Sequence, residues 1–232
     1  MSIAKSISII IPVYNEKKTL RQLLSQVIQA SVSGLQKEVI VVDDGSSDGT
    51  AQLIKSLRLP KLKKILLSVN HGKGFAVRQG ILQAQGDLIL IQDADLEYNP
   101  ADYPLLLAPF LLQRASVVYG SRELSFNRHS SPLFFVGGKL VTFFTWLLFG
   151  GRLTDVPTGY KVFSRRLLLN LPLRCRGFEF CPEVTAHLLK RDIHIIEVPI
   201  RYSPRSIHSG KKIRFYDGLI ALWTLLRVRV GL

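Results

Sequence analysis

Asp93-Ala94-Asp95 closes the apolar run Leu88 to Gln92, so two carboxylates stand at the end of a segment that reads as a buried strand. In an extended chain positions i and i+2 project to the same side, and both acids are expected to face one ion. Hard oxygen ligands select Mg²⁺ or Mn²⁺, which keep several waters and bridge substrate phosphates. Glu97, two residues further on, is positioned to join through the metal or a water. The competing reading, a cap for a helix opening near Pro100, leaves two acids beside a buried strand without partners, which is costly. A second acidic turn, Asp43-Asp44-Gly45-Ser46, follows another apolar run. Asp accepts from base N–H groups or ribose hydroxyls, and Gly allows a planar base to approach the backbone closely. Taken alone, that turn reads equally as a helix cap.

Clusters of this kind need a scaffold, and the first 120 residues supply the pattern of one. Ile7 to Ile11, Glu38 to Asp43, Lys64 to Val69, Leu88 to Gln92 and Ser116 to Tyr119 are short, rich in Val and Ile, and bounded by Gly, Asp or Asn, as strands are. Helices are expected at Lys17 to Gln29, Asp48 to Leu57, Gly74 to Ala84 and Ala101 to Gln113, with Ser47 or Asp48 capping the second and Pro100 opening the fourth. Alternation of this sort predicts an α/β fold with a mostly parallel sheet, helices on both faces, and ligands at the strands' C-terminal ends. The polar clusters at residues 12–16, 43–46, 70–74 and 93–95 all follow predicted strands. No GxxxxGK[ST] or GxGxxG phosphate loop occurs, which disfavours Walker-type ATPases and dinucleotide enzymes.

The formal charge of +14 is uneven: residues 1–120 hold 13 Lys/Arg against 10 Asp/Glu, and residues 121–232 hold 18 against 7. The basic half calls for an anionic partner, and charge alone does not choose among nucleic acid, an acidic membrane surface and phosphorylated substrates. Pro132 to Gly150 is the most apolar stretch, with Lys139 and Gly137-Gly138 near its middle, and is expected to lie in a membrane interface rather than span it. Ile213 to Leu232, with Trp223 and arginines near its ends, reads as a basic amphipathic helix for anionic lipid. Packing of both segments as ordinary core is the plainer alternative. The apolar run at the N-terminus is too short for a secretory leader, which implies a cytoplasmic protein. Cys175 and Cys181 suggest neither a disulfide framework nor a zinc site.

Ile-Pro-Val-Tyr-Asn-Glu (11–16), Val-Val-Asp-Asp-Gly-Ser-Ser-Asp-Gly-Thr (41–50) and Asp-Ala-Asp (93–95), in this order and spacing, resemble family 2 glycosyltransferases of GT-A fold. Gly120-Ser121-Arg122, Thr158-Gly159-Tyr160 and the Arg205 to Lys212 segment are similar to the polyprenyl-phosphate branch, typified by dolichyl-phosphate mannose synthases. The resemblance implies a domain over residues 1–212, followed by the amphipathic helix 213–232. It implies a donor pocket lined by Pro12, Tyr14, Glu16, Val42 and Asp44. Asp93, Ala94 and Asp95 would hold the metal and the diphosphate, with Glu97 where the family commonly has Gln. Arg122 would face the reacting phosphates, and Arg205 and Lys211 would form a basic pair on a loop that closes over them.

The activity implied is transfer of a hexose from a donor of the GDP-mannose or UDP-glucose type, with inversion, to a polyprenyl or dolichyl monophosphate at the cytoplasmic face of a membrane. A lipid monophosphate is already ionised near pH 7 and needs no base. A hydroxyl acceptor would need one, and Glu179 is then the candidate, with Glu183 equally explained as a helix-opening residue after Pro182. Lys73 is placed to approach donor phosphates, although a Gly-rich turn opening a helix accounts for its segment as well. No Gln-x-x-Arg-Trp pattern appears, which argues for single transfers. A nucleic-acid-binding protein would leave the three acidic clusters unexplained.

Overall fold

The structure is a computed structural model that describes residues 4–127, 131–205 and 215–231. Strands β1 (Ser6–Val13), β2 (Gln36–Asp43), β3 (Leu62–Leu66) and β4 (Leu88–Ile91) alternate with helices α1 (Leu20–Gln29), α2 (Thr50–Ser56) and α3 (Lys73–Gln83). Asn99 accepts from Ala101 N and Pro100 opens a 3₁₀ turn, which leads into α4 (Tyr103–Leu111) and β5 (Val117–Ser121). The second half contributes α5 (Pro132–Phe149), β6 (Lys161–Ser164), α6 (Arg165–Leu169), α7 (Phe180–Leu189), β7 (Ile196–Pro199) and α8 (Phe215–Val230). The expected elements of the first half are present with ends shifted by a few residues. The N-cap of α2 is Gly49 rather than Ser47 or Asp48, while Asp48 Oδ1, one residue earlier, accepts from Thr50 N at 2.9 Å.

Seven strands form one sheet in the order β3-β2-β1-β4-β6-β5-β7. The β1–β2, β1–β4, β2–β3 and β5–β7 pairs are parallel, and β6 is antiparallel to both β4 and β5. Because β2 lies on one side of β1 and β4 on the other, the winding reverses at β1. A crevice therefore opens where the β1, β2 and β4 ends diverge, the usual ligand position in such sheets.

Period-two alternation sets the two core layers. Ile7, Ile9, Ile11 and Val13 of β1 pack with Leu20, Leu23, Leu24 and Val27, an i, i+3, i+4, i+7 stripe of α1. On the opposite face Ile10 joins Ile40 and Val42 beneath Ala76, Val77 and Ile81 of α3.

Helices α5, α7 and α8 build a third cluster around Val141, Ala186, Ala221, Leu225 and Val228. The other sides of α5 and α8 remain apolar. Leu133, Val136, Leu140, Phe143 and Leu147 are exposed on α5, and Tyr216, Leu219, Trp223, Leu226 and Val230 on α8, both at helical spacing. Helix α5 has a mean hydropathy of 1.6 over 18 residues, enough in length and composition to cross a membrane, and 17% of it is buried in the molecule.

Gly80 is the point of closest approach between α3 and β1: a Cβ there would overlap Ile10 Cγ2. Gly80→Ala is expected to cost about 1–3 kcal/mol by overpacking, read as a lower urea midpoint with an unchanged slope.

Candidate active site

Pro12, Tyr14, Glu16, Asp44, Asp93, Ala94, Asp95, Glu97, Arg122 and Arg205 all line one cleft of about 910 Å³. Loops after β1, β2 and β4 supply its polar end, and α5 and α8 wall the other. Of the other expected donor-site residues, Val42 is not in that lining. The Val42 side chain belongs to the core with Ile10 and Ile40, because strand alternation turns it beneath α3. Lys211 lies outside the described residues.

At the β1–β2 end of the cleft the acids are occupied by the chain's own donors. Asp43 accepts from Ser46 N at 3.2 Å and from its hydroxyl. Asp44 accepts from His71 N at 2.9 Å and Gly72 N at 2.7 Å, tying the β2 end to the loop before α3. Gly45 has φ +71°, and a Cβ there would collide with the Val69–Asn70 backbone, so the close approach it permits is to the neighbouring loop. Glu16 is paired with Arg205, Nη1 at 3.1 Å and Nη2 at 2.9 Å. Arg205 also donates from Nε to the Asp95 carbonyl at 2.7 Å and from its backbone N to Glu97 Oε1 at 2.8 Å. The residue expected against a diphosphate thus clasps the two loops after β1 and β4.

The carboxylate pair is not an extended i, i+2 array. Strand β4 ends at Ile91, and Leu96 takes φ +65°, a left-handed turn that costs a non-glycine residue free energy and recurs at functional sites. Across the turn Glu97 N donates to Asp95 Oδ1 at 3.1 Å. The Glu97 carboxylate accepts from Tyr202 OH at 2.6 Å as well as from Arg205 N, and among the described residues no group of three acids, histidines or cysteines gathers to hold a metal. In this structure the Glu97 carboxylate, expected to join through the metal or a water, is engaged by Tyr202 and Arg205. Asp93 Oδ1 is met by Lys73 Nζ at 2.6 Å. Asp95 lacks an ion-pair partner among the described residues. Burial, followed by the charges of Asp93 and Glu97, pushes its pKa up to about 7. A buried acid raised by its neighbours is what a divalent cation would relieve. Two carboxylates, with the remaining positions filled by phosphate oxygens and water, suit Mg²⁺ or Mn²⁺.

Arg122 reaches the cleft over the Tyr202 ring, 5.1 Å from its centroid. Its fork is fixed from behind: Nε and Nη2 each lie 2.7 Å from Asp155, which also accepts from Arg122 N. Burial alone would raise the Asp155 carboxyl, but the charge and hydrogen bonds of Arg122 hold it below the usual carboxylate range. Glu197 in turn accepts from Thr154 N and Asp155 N. Gly159, Tyr98 and Tyr160 complete this wall. Gly159 N donates to Tyr98 OH, the two tyrosines stack at 4.7 Å, and a Cβ on Gly159 would strike Asp93 Oδ2.

The candidate bases are turned away from the cleft. Glu179 Oε1 accepts from Arg176 N and Gly177 N, closing its own loop. Glu183 accepts from Arg174 N and Cys175 N and pairs with Arg227. Both carboxylates accept from the 174–177 backbone, and neither is among the residues that line the cleft.

Residues 8–169 match the family model described as glycosyl transferase family 2. The chain belongs to that family. It is therefore a glycosyltransferase, and its relatives share more than the motif regions. The chain is 29% identical over 250 residues to the UDP-N-acetylglucosamine–dolichyl-phosphate N-acetylglucosaminyltransferase of Methanococcus voltae, covering 98% of this chain and 97% of that protein. It is also 29% identical over 209 residues to the undecaprenyl-phosphate 4-deoxy-4-formamido-L-arabinose transferase of Proteus mirabilis, covering 88% of this chain and 62% of that protein. In fold it is similar to glucosyl-3-phosphoglycerate synthase of Mycobacterium tuberculosis, with a TM-score of 0.74, 22% identity, and coverage of 98% of this chain and 81% of that one. A crystal structure of the same protein with Mn²⁺, uridine-diphosphate and phosphoglyceric acid gives a TM-score of 0.72 at 23% identity, covering 98% and 79%. These likenesses establish the GT-A architecture of this glycosyltransferase.

Asp155, Tyr202 and Lys161 are site neighbours that sequence reading did not single out. Lys161 is fully buried, donates to the Val156 carbonyl at 2.9 Å and lies 3.5 Å from the Tyr119 ring centroid. Burial lowers its pKa to about 8, with Cys181, Asp155 and Glu197 partly opposing. A folded-state pKa below the unfolded value means that the unfolded chain holds more protons between about pH 8 and 10.5, so this group's contribution to stability rises with pH there. The unfolding free energy of the wild type relative to Lys161→Met is expected to climb across that window by up to about 3 kcal/mol. Paired denaturation series at pH 7.5, 9 and 10.5 measure it, and a flat difference would refute the buried ammonium.

Proposed function

We propose that the protein transfers a hexose or related sugar from a nucleotide-diphosphate donor to a polyprenyl monophosphate at the cytoplasmic face of a membrane. The observation that carries the reading is the continuity of the cleft: a single cavity runs from the acidic ends of β1, β2 and β4, past Arg122, to the apolar wall of α5 and α8. A donor with a polar base and diphosphate suits the first part, and an acceptor with a phosphate head and an isoprenoid tail suits the second. The names of the Methanococcus and Proteus relatives point to the same acceptor class. The Methanococcus relative's donor makes uridine diphosphate sugars the first to test, with GDP-mannose beside them.

Asp93 and Asp95 would hold the ion, and Mg²⁺ or Mn²⁺ there supplies neutralising charge to the diphosphate as the bond to the anomeric carbon breaks. The chain's own contribution is preorganised positive charge. Asp155 presents the Arg122 guanidinium in one fixed orientation, so little reorganisation is needed as negative charge grows on the leaving group. The acceptor phosphate, with a second pKa of about 6, attacks as an anion, which agrees with Glu179 and Glu183 being engaged with backbone N–H groups.

Peripheral attachment is favoured over spanning because Lys139, near the middle of α5, pairs with Glu123 at 2.8 Å. Both residues line the cleft, which ties the helix midpoint to the catalytic domain. The exposed stripes of α5 and α8 would then rest in the headgroup region, and the basic second half would face anionic lipid.

Incubation of radiolabelled UDP- and GDP-sugars with polyprenyl phosphate in anionic vesicles tests the reaction. Label is expected in the lipid phase with Mg²⁺ or Mn²⁺, and is expected to be lost with EDTA and in Asp95→Ala; donor hydrolysis without lipid product would overturn the acceptor. In flotation assays, the Trp146→Glu, Trp223→Glu double variant should lose at least about tenfold in vesicle binding, since it puts charge on both apolar stripes. Undiminished flotation would remove α5 and α8 from the contact.

A further inference from the structure

Lys73 is the cation of the cleft that the reaction above leaves without a task. Its ammonium stands 2.6 Å from Asp93 Oδ1, a charge-assisted contact in an enclosed place, and 5.9 Å from the centroid of the Phe178 ring. The backbone fixes this position. Gly74 N donates to the Gly177 carbonyl at 3.1 Å and Phe75 N to the Arg176 carbonyl at 2.9 Å, so the first turn of α3 is bound to the 176–177 loop. A Cβ on Gly72 would stand 2.6 Å from the Arg176 carbonyl oxygen, and one on Gly74 2.8 Å from that of Gly177. The two glycines of His71-Gly72-Lys73-Gly74 therefore serve a close backbone contact that aims the residue between them at Asp93.

The carboxylate assigned to a divalent ion thus already holds a cation. Resting on the reading of Asp93 and Asp95 as metal ligands, we propose that Lys73 is a built-in counter-ion that hinders the metal from binding alone. It releases Asp93 when the ion arrives with a nucleoside diphosphate, whose phosphate oxygens take over the ammonium. An ammonium and a divalent cation on one carboxylate repel each other, and the incoming diphosphate offers the displaced ammonium a new anionic partner. Metal and nucleotide then strengthen each other's binding by the same factor, as linkage requires. Removal of the ammonium should raise metal affinity in the absence of nucleotide and shrink that mutual factor.

Binding of Mn²⁺ to the full chain, followed by the electron paramagnetic resonance signal of the free ion with and without UDP or GDP, tests this without reference to turnover. For the wild type, weak binding of Mn²⁺ alone is expected, strengthened at least about tenfold by the accepted diphosphate. Lys73→Met and Lys73→Gln are expected to bind Mn²⁺ alone at least about tenfold more tightly than wild type, a modest factor for a unit charge a few ångströms away. Lys73→Arg, which keeps the charge, should stay near the wild type. Wild-type affinity in both neutral variants would overturn the proposal. So would an absence of strengthening by either nucleotide in the wild type, a measurement that needs no variant to fold. Asp93→Asn and Asp95→Asn separate the two levels: if they bind Mn²⁺ as the wild type does, the metal assignment itself fails, whatever Lys73 does.

Discussion

A buried carboxylate is costly unless a cation or a hydrogen-bond donor meets it, and this cleft gathers several at one end of a sheet. Most of the surrounding architecture supplies their partners. Asp44 is met by the backbone of residues 71–72, Glu16 by Arg205, Glu97 by Tyr202 and Arg205 N, Asp93 by Lys73 and Asp155 by Arg122. These partners come from loops and strands far apart in sequence, so charge balance also closes the fold. Arg205 links the residues after β7 to those after β1 and β4, and Asp155 links the segment before β6 to the end of β5. Asp95 is met by the Glu97 N–H at 3.1 Å without an ion pair among the described residues, and burial with the charges of Asp93 and Glu97 raises its pKa.

The same economy shapes the apolar end. Helices α5 and α8 each carry two apolar faces, and their core-facing residues meet α7 around Ala186. A soluble helix with one buried stripe normally turns polar residues outward; here the outward stripes of both helices stay apolar. Neither plain alternative in the sequence, core helix or surface helix, describes them, since each is both. That two-sidedness gives the cavity a wall continuous with an exposed apolar surface, the geometry required if a long hydrocarbon tail is to remain in a membrane while its head group reaches the carboxylates.

The first half of the chain was legible because its contacts are local in pattern. Val- and Ile-rich runs separated by helical spacing, with acidic or Gly-rich clusters at their ends, fix a parallel sheet and put ligands at the strand termini. Asp93, Asp95 and Glu97 therefore fall in one cleft, although the left-handed Leu96 breaks the strand period that the i, i+2 argument assumes. Val42 was misassigned because the strand period holds through it and turns it into the core. Side-chain commitments were harder to read. Nothing local to Glu179 says that its carboxylate will close on Gly177 N, or that Asp155 will lie behind Arg122, because both depend on how loops fold onto one another.

Strand β6 shows most clearly why the second half resisted. It is four residues long, Lys161 to Ser164, begins with a charged residue, and inserts antiparallel between β4 and β5, so neither apolar alternation nor a following helix of useful length announces it. Its insertion brings the 154–160 segment across the strand ends, with Asp155 against Arg122 and Gly159 against Asp93. The Lys161 ammonium, at the start of that strand, meets a carbonyl and an aromatic face in the interior. A strand of four residues, no longer than β4 or β7, thus carries this wall of the cleft into place. Its register with β4, Leu90 opposite Val162, has to be specified by burial on both faces, because a slip of one residue would exchange the faces of Val162 and Phe163 and draw Gly159 away from the Asp93 carboxylate that needs the space.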